Sequence, residues 1–147
     1  MIRCKDPAIL NYFLNHKDIY NNIAPDGIEY IDGSTLLASP DTYFFTFPHG
    51  SLLFLKCGDT IFKGDCYFLS RKRGTEAKNA AKACIEYMFS VIKADRIIAE
   101  VPDFNKASKY FVSSLGFKRI NTLENAWLKN GISYDVIVYE LGDDKYS

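Results

Sequence analysis

The sequence predicts a single mixed α/β (α+β) domain over residues 1–147. Three observations predict it. Aromatic-rich apolar runs broken by turn residues fill 41–70 and read as a β-meander. A helical period then takes over, with Ala77, Ala80, Ala81, Cys84, Ile85, Met88, Phe89 and Ile92 on one face and Lys78, Lys82, Glu86 and Lys93 on the other. The apolar run "RIIAEVP" follows, so that a strand–helix–strand unit sits at the centre of the chain with "SRKRG" at its first turn.

Each element has its own signal. "DPAILNYFLNHKDIY" opens on Asp-Pro and sets Ile9, Tyr12, Phe13 and His16 on one face, which predicts one N-terminal helix. "GIEYIDG" reads as a short strand between turn glycines. The meander breaks at Pro48-His49-Gly50 and Cys57-Gly58-Asp59. "RIIAEVP", ended by Pro102, suits a strand buried on both faces. "NKASKYFVSSLG" predicts a helix with Asn105 as N-cap, a stripe of Ala107, Phe111 and Leu115, and Gly116 past its end. The tail reads as two strands joined across Asn130-Gly131, with 142–147 as a frayed end.

Composition narrows the function. With 48% hydrophobic residues the chain can build a core, and 18 basic against 18 acidic residues leave no global pull toward nucleic acid or membrane. Any anion site must therefore be local. Cys4, Cys57, Cys66 and Cys84 form no C-x-x-C pair and have no histidine at ligand spacing, so no metal site is expected. They read as buried free thiols, which favours a reducing compartment. The N-terminus lacks an apolar signal core, and a cytoplasmic protein is expected.

The local candidate is "SRKRGTEA". At a strand-to-helix turn the first helical N–H groups face outward at the positive end of the helix dipole. A glycine allows close approach of an anion, and Arg71 and Arg73 offer charge-assisted bonds. No G-x-G-x-x-G or G-K-[ST] is present. The alternative is a solvated basic turn.

From Cys66 to Leu141 the chain resembles the GNAT superfamily of acetyl-CoA-dependent N-acetyltransferases. "YFLSRKRGTEA", "RIIAEVP", "NKAS" and "SLGFKR" occur in the order of that family's strand, phosphate loop and long helix, apolar strand, and helix closing at L-G-F. The ending "LENAWLKNGISYDVIVYEL" resembles the branch that acetylates protein N-terminal amines of the ribosomal-protein type, and the short pattern also resembles small phage-encoded members. Two departures stand out. Glu76 occupies a position where the loop motif has a small residue, and Val112 stands where many members carry a tyrosine general acid.

The resemblance implies a mixed, mostly antiparallel central sheet with flanking helices. It also implies acetyl-CoA as co-substrate and a primary amine, on a protein N-terminus, a lysine or a small molecule, as acceptor. Phe68, Leu69, Ser70, Arg71, Arg73, Gly74, Thr75, Asn105 and Ser108 would then contact acetyl-CoA. Ser108 would also give the departing thiolate its proton. Asp65, Glu100, Glu124 and Asp135 are the carboxylates placed to serve as base; turn, ion-pair and hydrogen-bonding roles compete with that in each. Trp127 is a candidate for the acceptor pocket, and His49 reads as a turn residue. Tyr110 is expected to point away. The competing functions are a catalytically silent module of the same fold that binds protein or CoA, and nucleic-acid binding through Arg71–Arg73 with Lys118 and Arg119. Neither nucleic acid nor membrane is expected as a partner, and monomer and dimer both stay open.

Overall fold

The structure, a computed structural model, describes residues 1–70 and 74–143. Among the described residues seven strands form one sheet in the order β1-β2-β3-β4-β5-β7-β6. They are β1 (Ile2–Arg3), β2 (Tyr43–Phe47), β3 (Gly50–Lys56), β4 (Ile61–Phe68), β5 (Arg96–Pro102), β6 (Lys118–Lys129) and β7 (Ile132–Gly142). Every neighbouring pair is antiparallel except β4 and β5. That one parallel pair needs a crossover, which is the long helix α4 (Thr75–Ser90).

The meander and the C-terminal hairpin lie where the sequence predicts them. Asn130 and Gly131 both take positive φ at the hairpin tip. Alternation along the strands separates two cores. On one face α4 buries Ala77, Ala80, Ala81, Cys84, Ile85, Met88 and Phe89 against Phe54, Phe62, Phe68, Ile97, Ala99 and Val101. Burying each of the larger side chains stabilises by about 1.5–3 kcal/mol. On the other face Leu10, Phe13, Leu14 and Ile19 cover Phe44, Leu53 and Tyr67.

Four expectations need correction. The N-terminal helix is two helices, α1 (Pro7–Leu14) and α2 (Lys17–Ile23), because His16 caps the second one and accepts the Asp18 N–H on Nδ1 at 3.0 Å. Leu10, Phe13 and Leu14 form the buried face of α1, while Ile9 and Tyr12 are exposed. "GIEYIDG" is not a strand: Ile28 and Tyr30 are exposed, and Ile31 is held by both side-chain groups of Asn15 before the short α3 (Ser34–Leu37). β5 alternates rather than being buried on both faces, with Ile97, Ala99 and Val101 inside and Arg96 exposed. In α5 (Lys106–Ser114) the inner side carries Phe111 and Val112, whereas Ala107 is exposed. Gly116 ends that helix with φ +96°.

The cysteines divide as well. None of the four is in a disulfide, and only Cys84 is buried; Cys57 and Cys66 are exposed and Cys4 is half-buried. Burial in the α4 core pushes the Cys84 thiol up to about 12.

Candidate functional site

The parallel pairing of β4 with β5 holds for three residue pairs, Ile61 with Arg96, Phe62 with Ile97 and Lys63 with Ile98. Beyond Lys63 and Ile98 the strands part, each keeping its outer partner: β4 stays on β3 to Phe68 and β5 stays on β7 to Pro102. A cleft of about 510 Å³ opens in the gap. Cys66 lies at this gap, which accounts for an exposed thiol inside a strand.

Hydrogen-bond parity fixes which backbone groups face the gap. Cys57 N–H donates to Ile61 C=O at 2.9 Å and Leu69 N–H to His49 C=O at 3.1 Å. Lys63, Asp65 and Tyr67 therefore exchange bonds with β3, and Gly64, Cys66 and Phe68 turn their backbone groups toward β5. On the other side Asp103 N–H donates to Asp135 C=O, so Ala99 and Val101 bond β7 and Glu100 turns toward β4.

The cleft passes from one face of the sheet to the other. On the α4 face it is walled by Phe68, Gly74, Ala77, Asn105, Ser108 and Val112, among others. Gly74 is the N-cap of α4 with φ +95°, and a Cβ built there meets nothing within 4 Å among the described residues. Its carbonyl accepts the Lys78 N–H, while the first N–H groups of this 16-residue helix open toward the same end. Ser108, Val112 and Leu115 share the cleft side of α5 at helical spacing. The Asn105 side chain caps α5 by accepting Ser108 N–H at 3.1 Å.

On the α2 face the wall is Ile19, Asn22 and Ile23 with Asp65, Tyr67 and Glu100. Glu100 is held by Lys63 at 3.0 Å. Burial pushes the Asp65 carboxyl above its ordinary range, against the pull of Lys63; the Glu100 charge adds to the rise. Tyr67 is pushed well up by burial and then by Asp65.

Of the candidates named from sequence, Phe68, Gly74, Asn105, Ser108, Asp65 and Glu100 meet at this cleft. Leu69 packs instead against the α1–α2 core. Ser70 is exposed and its N–H donates to Asp18 Oδ2 at 3.1 Å, and Thr75 is an exposed first residue of α4. Arg71 and Arg73 lie outside the described residues. Two base candidates are elsewhere. Glu124 is exposed in the irregular stretch of β6 between Leu123 and Trp127, and Asp135 uses Oδ1 to accept the Asn125 N–H at 2.9 Å. Trp127 stacks on Phe104 at 5.0 Å rather than lining the cleft. His49 is a turn residue. Tyr110 corrects its expectation: it is exposed yet lines the cleft. Sequence reading also missed the α2 side of the wall, because nothing local in "KDIYNNI" signals a cleft 40 residues further along.

No family model and no curated protein matches the chain. Solved structures do, and they show the fold to be that of GNAT acetyltransferases. Spermidine N-acetyltransferase from Vibrio cholerae, in complex with CoA and spermine, superposes with a TM-score of 0.80 at 14% identity, covering 99% of this chain and 94% of its own. Mutant forms of the spermidine/spermine N-acetyltransferase SpeG from the same organism give 0.79 at 13% identity, over 99% and 94%. A GNAT-family acetyltransferase from Bacillus anthracis gives 0.63 at 18% identity, over 77% and 74%.

Proposed function

We propose that this chain is an acetyl-CoA-dependent N-acetyltransferase acting on a primary amine. The observation that carries the reading is the parting of β4 from β5 beside Gly74 and the N-terminus of α4. The cleft has the volume for an extended thiol arm, and Gly74 leaves its backbone open to an anion. Solved structures of this fold include a CoA complex, which supports the same assignment.

Acetyl-CoA supplies an activated thioester. The first N–H groups of α4, with the sequence-adjacent Arg71 and Arg73, hold its phosphates. The inward edge of Gly64, Cys66 and Phe68 aligns the arm and polarises the carbonyl. Asp65 takes the proton that the amine sheds as nitrogen bonds to the acetyl carbon. The carbon–sulfur bond breaks, and the Ser108 hydroxyl, replenished from water, returns a proton to sulfur. Among the described residues no helix is long and apolar enough to cross a membrane.

A second reading is a module that binds acetyl-CoA without turnover, favoured by Val112 at the acid position. One titration series separates them. Saturating acetyl-CoA is expected to raise the melting temperature, since a ligand of the folded state stabilises it by mass action. Unchanged melting and no calorimetric heat would refute the cofactor site. Binding without release of CoA across peptide and small-amine acceptors would favour the silent module.

A further inference from the structure

We infer that the α2 side of the cleft selects an acceptor amine carrying a single positive charge beside an apolar group, and discriminates against polyamines. The inference rests on the acetyltransferase reading above and concerns its acceptor.

The argument is one of charge balance at a half-buried wall. The α2 side of the cleft presents two carboxylates, Asp65 and Glu100. Glu100 is already matched by Lys63 at 3.0 Å. Lys63 also acts on Asp65, but the two carboxylates outnumber the one ammonium, and a single negative charge is left over. The rest of that wall is Ile19 and Ile23, which are apolar, and Asn22 and Tyr67, which are polar but uncharged. One ammonium entering there can be matched. A second would meet Lys63 or an uncharged surface, and an unmatched charge in a desolvated site is costly. Asp65 then has two uses: it draws the ammonium in and takes its proton. A small arylalkylamine and a peptide N-terminus bearing an apolar first residue share this chemistry.

The discriminating element is repulsive as well as attractive, since Lys63 removes the second anion that a polyamine would use. Substituting Lys63→Met keeps the aliphatic stem and deletes the charge, leaving Glu100 available to a second ammonium.

The test is a comparison of kcat/KM for three acceptors at saturating acetyl-CoA: 2-phenylethylamine, a tripeptide with N-terminal leucine, and spermidine. Wild type should prefer one of the first two over spermidine by about tenfold or more, and which of them leads separates a small-molecule acceptor from a protein terminus. Lys63→Met should shift the ratio toward spermidine by about tenfold while its melting temperature stays near that of wild type. A wild-type preference for spermidine overturns the inference. So does an unchanged ratio in folded Lys63→Met, or in Lys63→Gln if the methionine variant does not fold. Binding of acetyl-CoA with acetylation of none of the three also overturns it. Absence of any acetyl-CoA binding would instead refute the acetyltransferase reading itself, and the inference with it.

Discussion

The ring of Phe68 lies flat against Gly50. The two face each other across β3 and β4, and a methyl group placed on Gly50 would sit 2.4 Å from Phe68 Cγ. A glycine opposite an aromatic ring lets the ring cover the backbone, so Gly50 sets how Phe68 stands at the cleft. Gly50→Ala must displace that ring or the strand. Overpacking of this kind costs about 1–3 kcal/mol. A denaturant midpoint lowered at unchanged m-value, with weaker acetyl-CoA binding, is expected. A variant as stable as wild type with the same affinity would show that Phe68 has room to move without consequence.

Asp18 joins α2 to the end of β4. Its carboxylate accepts the Ser70 N–H at 3.1 Å, and this bond holds its pKa below the ordinary 3.8. A depressed carboxylate contributes stability above its unfolded value and loses it as pH falls through the folded value, so any loss belongs below about pH 4. The larger consequence is for position, since in sequence Ser70 immediately precedes the basic residues Arg71, Lys72 and Arg73. Asp18→Ala is expected to raise KM for acetyl-CoA while leaving KM for S-acetylpantetheine, which lacks the diphosphate and nucleotide, near wild type. Equal losses with both donors would make Asp18 a general packing residue.

Gly74 separates cofactor binding from folding. Because a Cβ there meets no atom of the described residues within 4 Å, the first carbon of Gly74→Val has room among them. Its cost is the positive φ of +95°, a strain of order 1–3 kcal/mol. Acetyl-CoA affinity should fall by far more than that strain lowers stability, because in the proposed site the new side chain stands where the phosphates approach. Calorimetric titration alongside a melting curve decides it. Unaltered affinity in a folded variant would put the phosphates elsewhere and leave "SRKRG" without a phosphate-binding role.

Local chemistry made much of this fold legible. The period of α4, the turn pair Asn130-Gly131 and the Asn105 cap all depend on residues within a few positions of one another, and all three lie where the sequence predicts them. The failures share a different origin. "GIEYIDG" has a strand's alternation, but Asn15, 16 residues away, takes both backbone groups of Ile31. His16 looks like the fourth member of a helical stripe, and its ring nitrogen starts a new helix instead. Among the base candidates, Asp65 and Glu124 are equally acidic in sequence. Only register tells them apart: Asp65 lies on β4 beside the gap, and Glu124 lies on β6, the far edge of the sheet. The contribution of α2 to the cleft arises wholly from tertiary packing.

Asp65 should trade stability for activity. Burial raises its pKa, so the folded state holds the proton more tightly than the unfolded chain does. Stability from this group is greatest at low pH. It declines as pH rises from the unfolded value near 3.9 through the raised folded value, because the native state must then carry a buried anion. At neutral pH Asp65→Asn removes that burden, and its melting temperature should equal or exceed that of wild type. Turnover should fall by about 10²–10⁴-fold, and the acidic limb of the pH–kcat/KM profile should disappear. A variant that keeps both its rate and that limb would exclude Asp65 as the base and pass the role to Glu100.

In the proposed reaction Ser108, at the cleft wall, returns a proton to sulfur. Val112 fills the position one turn further along α5, on the same cleft-facing side, and has no proton to give. The Ser108 N–H is already committed to the Asn105 cap, so the cap fixes the start of the helix and the hydroxyl is the part left to act. Ser108→Ala keeps the capping bond, which uses only the backbone, and stability should change little. Acetyl-CoA affinity should also hold, since the proton is needed in the transition state rather than in the bound complex. Turnover should drop by about 10²–10⁴-fold. Val112→Tyr in the Ser108→Ala background then makes a second test, because a phenol on the same side of the helix would supply an acid from the adjacent turn. Partial recovery of rate is expected. Wild-type turnover in Ser108→Ala would reduce the serine to a small residue at the cleft wall and turn attention to Tyr110, which borders the same cleft.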